Sequence, residues 1–341
     1  MAYIQNEGNK KCIFKIVSAM INYSIIIPHY NIPDLLARCL RSIPERDDVQ
    51  VIVVDDNSPG HESYLSQISE LSRKNVEFYV TTEGLGAGHA RNVGLSHAKG
   101  KWLMFSDSDD FFVEDLGNIL DKYVNDEHDL IFFNIKSCDC YDTTKIFLDG
   151  NKNHIFNKYY ETGYDIYFRV CYTEPWGRIV RRSVIVDNGI AFQETKAHND
   201  LLFAVKVGLC AERVLVVDKP LYWYVIREGS LGHQKKAEPF EKVCDRMIAW
   251  NSTQEYLEQK GIKTNFFLPA WPCIKATKRN YKRYFDLLGF AKRNKISPIR
   301  IVGGTLTYFT RKYFTGRKSL QFTNMLTKKS IKAYSKKEAN C

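Results

Sequence analysis

Trp102-Leu-Met-Phe-Ser-Asp-Ser-Asp-Asp110 passes from four large apolar residues into a turn with three carboxylates. The apolar half reads as a buried strand, and the acidic half as the turn that ends it. Carboxylates this close repel one another unless a cation or a positive ligand joins them. Oxygen-only ligands on a tight turn suit Mg²⁺ or Mn²⁺, which commonly share their shell with substrate phosphates. The stretch therefore points to a metal-dependent enzyme acting on a phosphorylated or nucleotide-linked substrate.

Upstream of this turn, strand and helix signals alternate. Tyr23–Pro28, Gln50–Val54, Val76–Val80 and Lys101–Phe105 read as strands, with helical spacing at Pro33–Ile43, 61–73 and Ala87–Ala98. Asp129–Asn134 adds a strand beyond the turn. Such alternation implies βαβ units: an α/β, Rossmann-like fold whose mostly parallel sheet is flanked by helices. Strands that are apolar throughout imply burial on both faces. Ligands of these sheets bind beyond the carboxyl ends of the strands. Here those ends are polar: His29-Tyr-Asn31, Asp55-Asp-Asn-Ser58 and Asp107-Ser-Asp-Asp110. Further along, Tyr164–Val170, Arg181–Val186 and Leu201–Leu209 have helical spacing, and Val214–Val217 reads as a strand. From about residue 238 the chain reads as helical and aromatic-rich.

Four segments occur in order: Tyr23-Ser-Ile-Ile-Ile-Pro-His-Tyr-Asn31, Val51-Ile-Val-Val-Asp-Asp-Asn-Ser58, Ala90-Arg-Asn-Val-Gly94 and Ser106-Asp-Ser-Asp-Asp110. Together they closely resemble the family 2 glycosyltransferases of GT-A fold, over roughly residues 21–235. The resemblance implies that Pro28, Tyr30, Asn31, Asp55, Asp56, Arg91, Asp107, Ser108 and Asp109 line the nucleotide-sugar donor site. Asp56 would hydrogen-bond the base, which fits uracil and hence a UDP-sugar. Asp107 and Asp109 would hold a divalent cation against the diphosphate, with Asp110 beside them.

Other readings of the same residues meet obstacles. A calcium loop wants oxygen ligands at alternate positions and a glycine, where this chain has Phe111 and Phe112. A phosphatase-type D-x-D belongs on the first strand, and this one follows the fourth. Gly84-Leu-Gly-Ala-Gly88 is spaced G-x-G-x-G and follows the third strand, so it does not fit a dinucleotide fingerprint.

Ala197-His-Asn-Asp-Leu-Leu-Phe203 resembles the family's Glu-Asp-x-x-Phe segment, with Asn199 in place of the glutamate. By that resemblance Asp200 is the catalytic base toward the acceptor hydroxyl, and transfer inverts the anomeric centre. Asp200 also reads as the N-cap of the following helix. His198 is the second candidate base. Trp176 reads equally as a sugar-stacking ring or a core residue. Leu221-Tyr-Trp-Tyr-Val-Ile-Arg-Glu-Gly-Ser230 resembles the lead into a mobile loop over the diphosphate, with Arg227, Ser230 and His233 as candidate site residues there. The expected acceptor is a glycan or lipid-linked saccharide.

Charge divides the chain. Residues 271–341 hold 18 Lys/Arg and 2 acidic residues, against 31 and 37 in the rest. The expected organisation is an N-terminal extension (1–20), a transferase domain (21–237) and a helical, basic C-terminal region (238–341). Basic helices interleaved with aromatics favour an anionic membrane surface over nucleic acid. No apolar run is long enough to span a bilayer. The nine scattered cysteines lack a C-x-x-C pair and suit reduced thiols. The expected location is cytoplasmic, peripheral at the inner face of the plasma membrane.

Overall fold

Alternation along the first strand decides which side chains face which layer. In a strand successive residues point to opposite faces. Ile26 joins one hydrophobic cluster with Ile52, Phe105 and Phe132. Ile25 and Ile27 join another with Val51, Val53 and Met104. Both faces are dry, so every residue of β1 (Tyr23–His29) and β2 (Val49–Asp55) is buried. The computed structural model describes residues 20–60, 68–147, 150–227, 239–265, 267–276, 280–315, 326–331 and 334.

β1 pairs in parallel with β2 and with β4 (Trp102–Phe105), and β2 pairs in parallel with β3 (Val76–Val80). The crossovers use α1 (Pro33–Arg41) and α2 (Ala87–His97). Proline opens α1, where its missing N–H would have no partner in any case. Of the expected helix at 61–73, residues 61–67 lie outside the described residues, and Ser69–Ser72 is a short 3₁₀ turn.

Beyond β4 the sheet departs from the parallel pattern. β8 (Arg178–Arg181) runs antiparallel to β4 and to β6 (Leu130–Asp139). β9 (Val214–Ile226) runs parallel to β6, and β5 (Phe111–Phe112) antiparallel to β9. β7 (Ile146–Phe147) hangs from β6. The strand order is β3-β2-β1-β4-β8-β6-β9-β5, a mixed sheet. β8 was not expected as a strand. It has four residues, two of them arginine, and its Arg178 is fully buried with the guanidinium against Phe132 and Tyr172. β9 is far longer than Val214–Val217, because a register irregularity at Asn134 lets pairing resume at Pro220. That continuation carries Tyr222 to Ile226 back beside the acidic turn.

Helices cover both faces. α3 (Leu116–Tyr123) packs on one, and α5 (Ile166–Cys171) with α7 (Leu201–Cys210) on the other; α4 (Gly150–Thr162) and α6 (Arg182–Val186) complete this part. The C-terminal helices are α8 (Phe240–Gln259), α9 (Ala270–Ala276), α10 (Tyr281–Arg293) and α11 (Pro298–Thr315). Met247, Trp250, Cys273, Leu287 and Ile301 from these helices share one continuous core with Ile26 and Phe105 of the sheet. No helix among the described residues is long and apolar enough to cross a membrane.

Candidate active site

β1 has β2 on one side and β4 on the other, and each neighbour is reached by a crossover. A crevice opens where strand order reverses in this way, outside the carboxyl ends. The cleft there has a volume of about 510 Å³. Its walls include Pro28 and Tyr30 after β1, Asp56 after β2, Arg91 on α2 and Asp107, Ser108 and Asp109 after β4. The other wall carries Lys196, His198, Asn199 and Asp200, and Tyr224 and Arg227, from β9 and just past it, complete the lining beside the acidic turn.

The carboxylates are separated by environment. Asp107 pairs with Arg91, and Asp109 Oδ2 accepts from Arg227 Nε at 2.9 Å. The backbone carbonyl of Asp109 accepts from Arg38 Nη2 at 2.7 Å, which holds the turn against α1. Asp110 turns away from the cleft. Its two oxygens take the Tyr222 hydroxyl at 2.9 Å and the Val225 N–H at 2.7 Å. Burial, together with Asp109 and Asp107, pushes the Asp110 carboxyl well above the usual range. Burial and the charge of Asp107 also raise Asp109, against the opposing pull of Arg227.

Asp55 lies beneath the cleft, fully buried. Its carboxylate takes His29 Nδ1 at 2.6 Å and the Ser58 N–H and hydroxyl at 2.7 and 2.8 Å. Burial alone would raise its pKa, but the hydrogen bonds from His29 and Ser58 hold it below the usual range. His29 Nε2 accepts from the Ile32 N–H at 3.2 Å, so Nδ1 carries the proton. Asp56 does face the cleft. Burial raises its carboxyl, while Oδ2 accepts from the Gly86 N–H at 2.8 Å. Gly86 reaches that position with φ at +97°, a backbone state glycine adopts without steric cost.

The far wall is clamped to α2. Asn92 accepts from the Phe192 N–H at 2.8 Å and donates to the Phe192 carbonyl at 3.0 Å. Arg91 reaches from Asp107 to Asn199, donating to Asn199 Oδ1 at 2.9 Å. Asp200 caps α7 by position, yet its side chain makes no capping hydrogen bond. Burial pushes its carboxyl up to about 6, opposed by Arg91 and supported by Glu174 and Asp107. His198 is pushed down to about 4 by burial and by the cations Arg246 and Lys275.

The model of glycosyl transferase family 2 matches residues 24–187. The chain belongs to the family 2 glycosyltransferases. It is 30% identical over 257 residues to the poly(ribitol-phosphate) β-N-acetylglucosaminyltransferase TarS of Staphylococcus aureus, a match over 70% of this chain and 42% of TarS. It is 27% identical over 226 residues to the glycosyltransferase GlyA of Streptococcus pneumoniae, over 61% of this chain and 31% of GlyA. The chain thus spans less than half the length of either relative. The crystal structure of S. aureus TarS 1-349 in complex with UDP-GlcNAc superposes with a TM-score of 0.56 at 19% identity, over 87% of this chain and 92% of that one. That likeness shows a common GT-A fold.

Within this transferase fold the residues expected at the site divide. Pro28, Tyr30, Asp56, Arg91, Asp107, Ser108, Asp109, His198, Asp200 and Arg227 meet in one cleft. Asn31, Asp55, Asp110 and Trp176 are not among its lining residues. Asn31 instead donates its N–H to Ser58 Oγ at 2.8 Å. Trp176 is a core ring, stacked on Tyr222 and Tyr224 at 5.2 and 5.6 Å. Ser230 and His233 lie outside the described residues. Lys196, Asn199 and Tyr224 line the cleft without having been singled out as site residues. Asn199 carried a signal, its place in the Glu-Asp-x-x-Phe pattern. Tyr224 lay within the 221–230 segment, while Lys196 carried no signal, since only chain closure brings it to the cleft.

Proposed function

We propose that this cleft transfers a sugar, with inversion, from a UDP-sugar to a hydroxyl of a glycan or lipid-linked acceptor. The observation that carries the reading is the division of the cleft. Asp56, Asp107 and Asp109 stand at the strand ends, and Asp200 stands on the clamped far wall. One side suits a departing nucleoside diphosphate and the other an incoming nucleophile. The UDP-GlcNAc complex of the TarS fragment makes UDP-GlcNAc the first donor to try.

A divalent cation fits the donor side. Among the described residues no three His, Cys, Asp or Glu side chains gather as a complete metal site. Asp107 and Asp109 offer two hard carboxylates, and Mg²⁺ or Mn²⁺ typically takes one or two carboxylates plus substrate phosphates. The ion would neutralise charge on the diphosphate. Arg91 and Arg227 already face the same carboxylates, and they would meet the phosphates as the carboxylates turn to the metal.

Asp200 is the base. A carboxyl near 6 is ionised at neutral pH yet basic enough to take a proton as the acceptor hydroxyl attacks the anomeric carbon. Asp200→Asn should leave UDP binding within a few-fold, read by calorimetry, and lower turnover by about 10²–10⁴. Turnover near normal would move the base to His198. Full activity in excess chelator would remove the cation from the reaction.

A further inference from the structure

The outer face of α11 is apolar where a solvated helix would be polar. Ile299, Val302, Leu306, Phe309 and Tyr313 are all exposed, Ile299 and Tyr313 at 84% and Leu306 at 61%. Their spacing of three and four residues places them on one stripe, about 21 Å long at 1.5 Å per residue. The opposite face is already used, since Ile301 and Tyr308 are buried in the core. Large exposed apolar patches are uncommon on soluble surfaces and mark an interaction site.

The neighbouring helix extends the patch. Tyr281 and Phe285 on α10 are exposed at 80% and 68%. The Tyr284 hydroxyl donates to Thr305 Oγ1 at 3.3 Å. That bond sets α10 beside α11, so the exposed rings of α10 lie on the helix next to the stripe.

Charge selects the occupant. Lys282, Lys292, Arg293 and Lys295 are exposed on α10 and the turn after it, and Asp286 is the acidic residue there. A second copy docking face to face would bring these cations together. An anionic lipid surface would attract them while burying the stripe. Aromatic and aliphatic rows beside lysines are the composition of a helix lying in a membrane interface. We infer that the α10–α11 face seats the protein on an anionic lipid bilayer, with the α11 stripe entering the headgroup boundary. This inference stands independently of the transfer reaction, and its failure would leave the cleft's reading untouched.

The test uses the full chain and two kinds of vesicle, phosphatidylcholine alone and phosphatidylcholine mixed with phosphatidylglycerol. Wild-type protein should sediment with the mixed vesicles, less so as salt rises, and remain free with the neutral ones. Leu306→Glu with Phe309→Glu should reduce that partition about tenfold or more, since withdrawing even one such side chain from an apolar phase costs that much. Both positions are exposed, so the melting temperature should not move; UDP binding serves as a second check of folding. Equal binding by the double variant would overturn the inference. So would a lipid-free dimer that the double variant dissolves, or a lowered melting temperature with vesicle binding unchanged.

Discussion

Asp200 and His198 stand two residues apart, and the same burial drives them in opposite directions. Loss of water disfavours the charged form of each, so the carboxyl rises to about 6 and the imidazole falls to about 4. Above pH 6 the carboxylate is ionised and the imidazole neutral, so the carboxylate is the stronger base. The pH profile of kcat/KM should therefore lose about tenfold per unit below an apparent pKa near 6. A flat profile from pH 5 to 7 would count against Asp200. Asn199 sharpens the test. Asn199→Glu places a second negative charge beside Asp200 and draws on Arg91, which now lowers its pKa. Both changes raise the Asp200 pKa, so the acid limb should move to higher pH. An acid limb that stays in place or moves down would show that Arg91 does not govern Asp200.

At the scale of elements, the cleft depends on how closely α2 approaches the 193–199 segment. Gly88 makes that approach possible. A Cβ there would lie 2.2 Å from the Gln193 carbonyl oxygen and 2.9 Å from Asn199 Cβ. Alanine favours a helix over glycine by about 1 kcal/mol. The clash is with a backbone carbonyl that no rotamer change can relieve, so the segment must shift. Gly88→Ala should lower stability by about 1–3 kcal/mol in denaturant melts. It should also reduce turnover more than UDP affinity, because the displaced wall carries Asp200 while Asp56 stays with the strands. Strands β1, β2 and β4 of the parallel half were legible because each is a largely apolar run with a polar end. β8 and the distal half of β9 were not. Arg178 is legible as a strand residue only once Phe132 and Tyr172 are in place to pack against its guanidinium.

For the whole molecule, charge and composition suggest an acidic body with a basic appendage, but the hydrophobic core does not divide there. Leu287 and Ile301 of the basic helices, with Trp250 of α8, are buried in the same cluster as Phe105 and Phe203, and the Trp250 ring lies 5.8 Å from that of His198. Trp250→Ala should cost about 3–5 kcal/mol. Helical signal and UDP binding should then be lost together on heating. Two separate transitions, with UDP binding surviving the first, would show that the C-terminal helices fold as an independent unit.

Local pattern determined much of this protein. Buried strands, their polar carboxyl ends and the ordered family segments all follow from side chains near one another in sequence. Those signals singled out Asp56, Arg91, Asp107, Asp109 and Asp200, which the structure brings to one cleft. The tertiary structure decided which neighbouring carboxylates do what. Asp55 and Asp110 have the same chemistry as Asp56 and Asp109, one residue away. A strand sends consecutive side chains to opposite sides, and a tight turn scatters them. Asp55 therefore orients His29 and Asp110 fastens β9, while their neighbours face the cleft. The exposed stripe of α11 was likewise hidden in sequence, because apolar spacing marks a face without saying whether the core covers it.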